Sequence, residues 1–246
     1  MKKGFTLAET LITIGIIGVV AALTVPNIIE NKRNRDLQVQ LKKVYAEWNQ
    51  ISRKFLDDNE ESISSYANTN GISGLINILP QYLKGVTVIS NWTYGNMTRD
   101  DENKITNLPY EIYELDGSKV SGMQCDGWGF RTDIGGRYYI FDDAPKTGKN
   151  GPSMCIDLNG SAKPNVKGID FFVFFFTTDG LVLPMGEEHS DNNYENSVNA
   201  GGQLKAGKNS CYKSTATTCA YYAIHDKSPF GDGGYWKDYI GRKRYK

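Results

Sequence analysis

One long helix followed by an antiparallel sheet, an α+β chain, is the fold class the sequence predicts, and three observations predict it. Phe5 to Val25 is a 21-residue run of apolar, small and hydroxyl residues interrupted by a single carboxylate, Glu9. Beyond Pro26, apolar residues recur at spacings of three and four. Late in the chain, short apolar and aromatic runs are separated by turn residues, Asp179-Gly180 foremost.

The first element is the apolar run. As a helix it would be roughly 31 Å long, at about 1.5 Å per residue, close to the thickness of a bilayer core. Lys2 and Lys3 precede it, which favours an N-terminus left in the cytoplasm. A secretory signal peptide also starts basic and apolar, but ends in a small-x-small cleavage site. Ala22-Leu23-Thr24 imitates that site weakly, and the pattern runs on through Pro26 into a further helix. Proline removes one helix hydrogen bond and kinks or ends the helix. Gly15, Gly18, Ala21 and Ala22 put small residues on part of the surface, where another helix can come close.

Glu9 needs a partner, because a lone charge in hydrocarbon costs a few kcal/mol even on lenient scales. The intact chain offers Lys2 and Lys3, or a position shallow enough to reach the headgroups. A cut between Gly4 and Phe5 would create an ammonium group at Phe5, about one helical turn from Glu9. The two can then pair within a chain at i,i+4 spacing or between neighbouring chains.

The second element is an amphipathic helix. Leu37, Leu41, Val44, Tyr45, Trp48, Ile51 and Phe55 lie along one stripe, while Lys42, Lys43, Glu47, Arg53 and Lys54 fill much of the remainder. With the apolar run it makes one helix to about Leu56, roughly 75 Å long. Asp57 to Ser65 reads as the helix end, and Gly71 to Pro80 as a short helix stopped by Pro80.

The sheet follows. Strands are expected at Val86–Ile89, Arg137–Phe141, Met154–Leu158, Asp170–Thr178 and Leu181–Pro184, the last two joined by a two-residue turn at Asp179-Gly180. Phe171 to Phe176 is apolar without a break, so both its faces must be covered, one by the helix and the other by loops or a neighbouring subunit. Residues 100–107 and 187–209 read as polar loops.

Composition bounds the function. Of 246 residues 39% are hydrophobic and 23% charged, enough for one ordinary globular domain and an appendage. Twenty-eight basic and twenty-eight acidic residues balance, which argues against a large nucleic-acid-binding surface. The aromatic share of 12% and the 26 glycines favour strands and turns. Nothing reads as a nucleophile motif or a phosphate-binding loop, and two histidines leave little for ordinary acid–base catalysis.

Four cysteines, at 125, 155, 211 and 219, suit disulfides in an exported domain, with three pairings open. Cys211–Cys219 would close a short local loop, and Cys125–Cys155 would then tie the Asp126–Gly129 turn to a strand. Free thiols are the alternative. Zinc is disfavoured, because CxxC spacing is absent and the histidines are only His189 and His225. Between residues 156 and 170, Asp157, Asn159 and Asp170 offer oxygen atoms around a Gly/Pro turn, as hard cations prefer. The competing and favoured reading is a set of Asx turns in which these side chains cap their own backbone.

Lys3-Gly4-Phe5-Thr6-Leu7-Ala8-Glu9 followed by an apolar run resembles the N-terminal motif of type IV prepilins and type II secretion pseudopilins. The resemblance covers about thirty residues and contains every element of the motif in order. It implies a pilin-like fold, with the helix packed on an antiparallel sheet. It implies a leader at 1–4, a membrane and filament-core helix at 5–26, an amphipathic helix at 27–57 and a globular domain at 58–246. It implies cleavage after Gly4 by a prepilin peptidase, N-methylation of Phe5, and Glu9 meeting the Phe5 amine of an adjacent subunit during assembly. A helix-kinking proline where the span leaves the membrane is also common in the family, as at Pro26. The chain would be a structural subunit rather than an enzyme, resident in the bacterial inner membrane and then in an extracytoplasmic filament. Its partners would be other subunits, with a separate assembly ATPase and platform, and it would need no cofactor. Some major pseudopilins bind calcium in a loop of the sheet domain, which residues 156–170 resemble, so calcium at Asp157, Asn159 and Asp170 is the exception to weigh. The motif does not choose between a pilus, a secretion pseudopilus and a DNA-uptake pilus. The rival class is an anchored enzyme or ligand-binding domain that does not polymerise, and a third reading, a surface-binding module with loops near Tyr94 and Tyr221, is compatible with a pilin.

Overall fold

A computed structural model describes residues 4, 6–89, 92–93, 106–107, 111–120, 129–133, 136–141, 152–189, 206–207, 211 and 218–242. Helix α1 (Leu7–Asn59) is continuous over 53 residues and passes through Pro26 without ending. Thr6 caps its start, and Glu60, in the left-handed conformation, closes its end. Nearly the whole surface of residues 6–29 is exposed, Ala21 being half-buried. Burial begins at Asn34 and follows the predicted stripe through Leu37, Leu41, Val44, Trp48, Ile51 and Phe55.

Helix α2 (Ile63–Ile78) starts earlier than the sequence suggests. Ser62 caps it by accepting from the Ser65 amide, and Gly71 breaks it with a positive φ. A 3₁₀ turn at Leu79–Gln81 places Pro80 where its missing N–H is harmless. The principal sheet has six antiparallel strands in the order β1-β4-β5-β6-β7-β8, and a separate small ladder joins β2 to β3. The strands are β1 (Val86–Ile89), β2 (Trp92–Thr93), β3 (Thr106–Asn107), β4 (Gly129–Thr132), β5 (Tyr138–Phe141), β6 (Ser153–Asp157), β7 (Phe171–Phe176) and β8 (Val182–Pro184). Helix α3 (Cys219–His225) and a π-helical segment (Tyr235–Ile240) complete the head, and neither is anticipated by the pattern of the sequence.

Strand β7 explains the core. All six of its residues are buried. Phe172, Phe174 and Phe176 join the cluster built on α1, and Phe171, Val173 and Phe175 join a second cluster with Ile112, Val120, Ile140 and Met185. The second face is thus covered by the chain's own segment 111–120. Trp48 fixes α1 to the sheet through edge contacts with Tyr139, Phe141 and Phe176, at centroid distances of 5.2, 5.8 and 5.9 Å. Tyr45 stacks on Phe174 at 5.6 Å.

The β7–β8 turn differs from the expected two-residue form. Thr177 N–H donates to Leu181 O, so the connection is Thr178-Asp179-Gly180, with Gly180 at φ +83°. The strands twist, and a three-residue loop ending in a left-handed glycine fits that twist. Cys211 and Cys219 form a disulfide with a Cα–Cα distance of 4.7 Å, buried against Tyr235. Cys155 is also disulfide-bonded. Phe5, Tyr94, Cys125 and the expected polar loops at 100–105 and 190–205 lie outside the described residues.

Candidate assembly site

The start of α1 is a reciprocal cap. Thr6 Oγ1 accepts from Glu9 N–H at 3.3 Å, and Glu9 Oε2 accepts from Thr6 N–H at 2.8 Å and from the Thr6 hydroxyl at 2.8 Å. A helix leaves its first amides without partners, and a Thr-x-x-Glu box satisfies two of them. The spacing Thr6-Leu7-Ala8-Glu9 is that sequence signature, so this partner of Glu9 is encoded in four adjacent residues. The box uses Thr6 N–H, which belongs to the Phe5–Thr6 peptide, and a cut at Gly4–Phe5 leaves that bond in place. Glu9 Oε1 makes no hydrogen bond among the described residues. Gly4 is exposed, with open space around it.

The helix beyond is suited to a medium without water. Its most apolar window has a mean hydropathy of 2.2, none of it is buried within the chain, and it is long enough to cross a membrane. Leu7 and Leu23 are 79% and 69% exposed. The hydroxyls of Thr10, Thr13 and Thr24 donate back to the carbonyls of Thr6, Glu9 and Val20, at 3.1, 3.0 and 2.9 Å. Polar side chains on a membrane helix need such internal partners. Around Gly15 and Gly18 an added Cβ would meet nothing within 4 Å.

The acidic loop of the head is a different kind of site. Asp157 Oδ1 accepts from the amides of Asn159 (3.1 Å) and Gly160 (2.8 Å). Asp170 Oδ2 and Oδ1 accept from the amides of Asn165 (2.8 Å) and Val166 (2.7 Å). Leu158 N–H reaches Asp170 O at 2.9 Å, which draws Asp157, Asn159 and Asp170 together. Burial pushes the Asp170 carboxyl up to about 6, against the amides of Val166 and Asn165 that favour its charge. Asn159 Oδ1 is the buried acceptor left without a hydrogen bond. Both carboxylates accept from backbone amides of their own loop, the geometry of Asx-type turns. No group of three or more His, Cys, Asp or Glu side chains converges among the described residues.

One charged pair has no counterpart in the sequence pattern. Lys167 Nζ meets Glu114 Oε1 at 3.0 Å with both side chains at least nine-tenths buried. Together with the bonds Tyr113 N–H to Asn165 O and Lys167 N–H to Tyr113 O, it holds the covering segment 111–120 against the turn before β7. A sequence separation of 53 hides this from any local pattern.

A family model described as the prokaryotic N-terminal methylation motif matches residues 1–25. The type II secretion system core protein G of Aeromonas hydrophila is 35% identical over 77 residues, which are 31% of this chain and 50% of that protein. Its counterpart in Escherichia coli K12 is 37% identical over 76 residues, 30% of this chain and 49% of that one. The chain thus spans about half the length of these curated relatives. No solved structure matches. The capped apolar helix thus carries a prokaryotic N-terminal methylation motif at its start, and the chain is similar to type II secretion core protein G over about half of that protein's length.

Proposed function

We propose that the chain is a structural subunit of a type IV pilus-like filament. The observation that carries this reading is the two-part helix α1, whose first half buries nothing within the chain and whose second half is the spine of a folded head. On this reading the first half anchors the subunit in the inner membrane, N-terminus in the cytoplasm, until extraction. The same apolar surfaces then bundle into a filament core, and the heads coat the outside. Contacts between different faces of identical subunits generate such a helical polymer. A prepilin peptidase cleaves after Gly4, Phe5 is N-methylated, and a separate ATPase and platform drive assembly. Glu9 keeps its cap to Thr6 through one carboxylate oxygen and offers the other to the Phe5 amine of a neighbour. Pro26 marks where the helix leaves the membrane. On this reading the head is structural rather than catalytic, and the hydrogen bonds of the loop at Asp157, Asn159 and Asp170 to its own backbone support a set of Asx turns.

The test is co-expression with a prepilin peptidase and mass spectrometry of the mature N-terminus. The expected product begins with N-methylated Phe5. An intact Met1, or a cut after Thr24, would overturn the reading. Glu9→Ala is expected to be processed normally yet to abolish filaments in shear fractions. Normal filaments in that variant would refute the Glu9 pairing while leaving the processing assignment intact.

A further inference from the structure

The chain as a whole is neutral, but its charge is not evenly spread where the head meets the apolar rod. The apolar surface of α1 ends at Ile29, and Lys32, Arg33 and Arg35 follow within two turns. Relative to the buried Asn34, at about 100° per residue, Lys32 lies on the opposite side of the helix, with Arg33 and Arg35 on its two flanks. The remaining side is covered by the head. Phe174 and Phe176 of β7 meet Tyr45 and Trp48 in turn, so β7 runs away from the rod as its numbering rises. Phe172, at the rod-proximal end of the strand, meets Trp236 at 5.9 Å. The π-helical segment therefore sits at the base of the head, and it carries Lys237 and is followed by Arg242, both exposed. The sequence continues from Arg242 with Lys243, Arg244, Tyr245 and Lys246.

Lys32, Arg33, Arg35, Lys237 and Arg242 thus lie on the neck or on the segment beside it, among the carboxylates of Glu30, Asp36 and Asp238, while Asp226 is turned onto the backbone and accepts from Trp236 N–H at 3.2 Å. Glu30 is taken by Arg33 at 3.6 Å and Asp238 by Arg242 at 3.3 Å. Among the described residues Lys32, Arg35 and Lys237 have no carboxylate within ion-pair distance.

We propose that this collar is a binding surface for the headgroups of anionic phospholipids, engaged while the subunit waits in the membrane. The proposal rests on the membrane reading of α1. If hydrocarbon ends between Pro26 and Ile29, Lys32 lies roughly 5–9 Å and Arg35 about 9–14 Å beyond it, at the depth of the headgroups and within reach of long side chains. Orientation does not account for these charges. Basic residues flanking a span favour the cytoplasmic side, and a span with its N-terminus inside carries this collar on the opposite flank. Lys237 and Arg242 come from a segment some two hundred residues away in sequence, so the ring exists only once the head has folded, and lipid contact steadies the folded head on its anchor.

The test uses the full chain reconstituted into phosphatidylcholine vesicles containing trace spin-labelled phosphatidylglycerol or phosphatidylcholine. The expected result is a preference for motionally restricted phosphatidylglycerol of about fivefold or more, the ratio one basic side chain near an anionic surface can supply. The preference should fall with added salt. It should approach parity in a variant carrying Lys32→Gln, Arg35→Gln, Lys237→Gln and Arg242→Gln, and persist in a Lys2→Gln, Lys3→Gln variant. Parity in the wild type, or full preference in the collar variant, would overturn the proposal. Flotation with neutral vesicles reads the anchor separately: a chain that fails to float refutes the membrane reading and the collar with it. A chain that floats without lipid preference refutes the collar alone. Lys32→Glu with Arg35→Glu provides a second variant, expected to exclude phosphatidylglycerol from the protein's shell.

Discussion

Thr6 and Glu9 form a closed pair at the mouth of the apolar helix, so the one carboxylate in that run has a local function before any neighbour arrives. Losing such a cap typically costs about 1 kcal/mol of helix stability. Asp170 is the second residue whose surroundings determine its behaviour. Its carboxyl is held up to about 6 by burial, above the ordinary aspartate value it regains on unfolding. A raised folded value means that the native state holds the proton more tightly. The contribution of Asp170 to stability is then fully present below about pH 4 and is lost as pH rises through about 6, amounting to roughly 3 kcal/mol by linkage. We expect Asp170→Asn to be less stable overall, because one backbone amide loses its acceptor, and to flatten the dependence of melting temperature on pH between 4 and 7. The check is a pair of melting series, wild type and variant, each repeated with EDTA and with calcium. Equal slopes would contradict the buried-carboxyl account. Stabilisation by calcium would show that the loop holds a cation after all.

At the level of elements, how much the sequence reveals depends on how local the signal is. The stripe from Leu37 to Phe55 and the all-apolar β7 carry their periodicity within a few residues, and both fold as that periodicity predicts. The Thr6-to-Glu9 spacing is equally local, yet it reads as a cap only when the helix is known to start there. Helix α3 and the π-helical segment are not legible in the sequence. Each is only six or seven residues long and is stabilised by distant contacts, such as Trp236 Nε1–H donating to Ala223 O at 3.0 Å. For the β7–β8 turn the sequence points to the right residues and the wrong length. Gly180 sits at φ +83°, and a Cβ there would lie 2.9 Å from Leu56 Cδ2 at the end of the buried part of α1. A left-handed backbone costs a side-chain-bearing residue about 1–2 kcal/mol. Gly180→Ala should destabilise the head by about that amount in urea unfolding, whereas Asp179→Asn, which keeps the turn chemistry, should change stability far less. Equal effects would mean that the glycine conformation is not what holds the turn.

For the molecule as a whole, the division of labour along α1 predicts separability. Residues 6–29 contribute nothing buried to the head, and Asn34 is the first fully covered residue of the helix. A fragment starting at residue 30 should therefore be soluble without detergent and melt within about 2 °C of the full chain's head, since burial of core area is unchanged. Circular dichroism melts and size-exclusion chromatography give the comparison. A fall of about ten degrees or more, by the same scaling, would show that the rod supports the head in a way its exposure does not reveal.

Because α1 is unbroken from Leu7 to Asn59, the head has a fixed angular phase relative to the anchor. Each residue of an α-helix adds about 100° of rotation and 1.5 Å of travel. One extra residue in the neck would swing the head by more than a quarter turn while barely lifting it, and four would return it almost to its starting azimuth about 6 Å further out. In the proposed filament the length of the neck would thus work as a dial rather than a spacer, setting which side of one head faces the next.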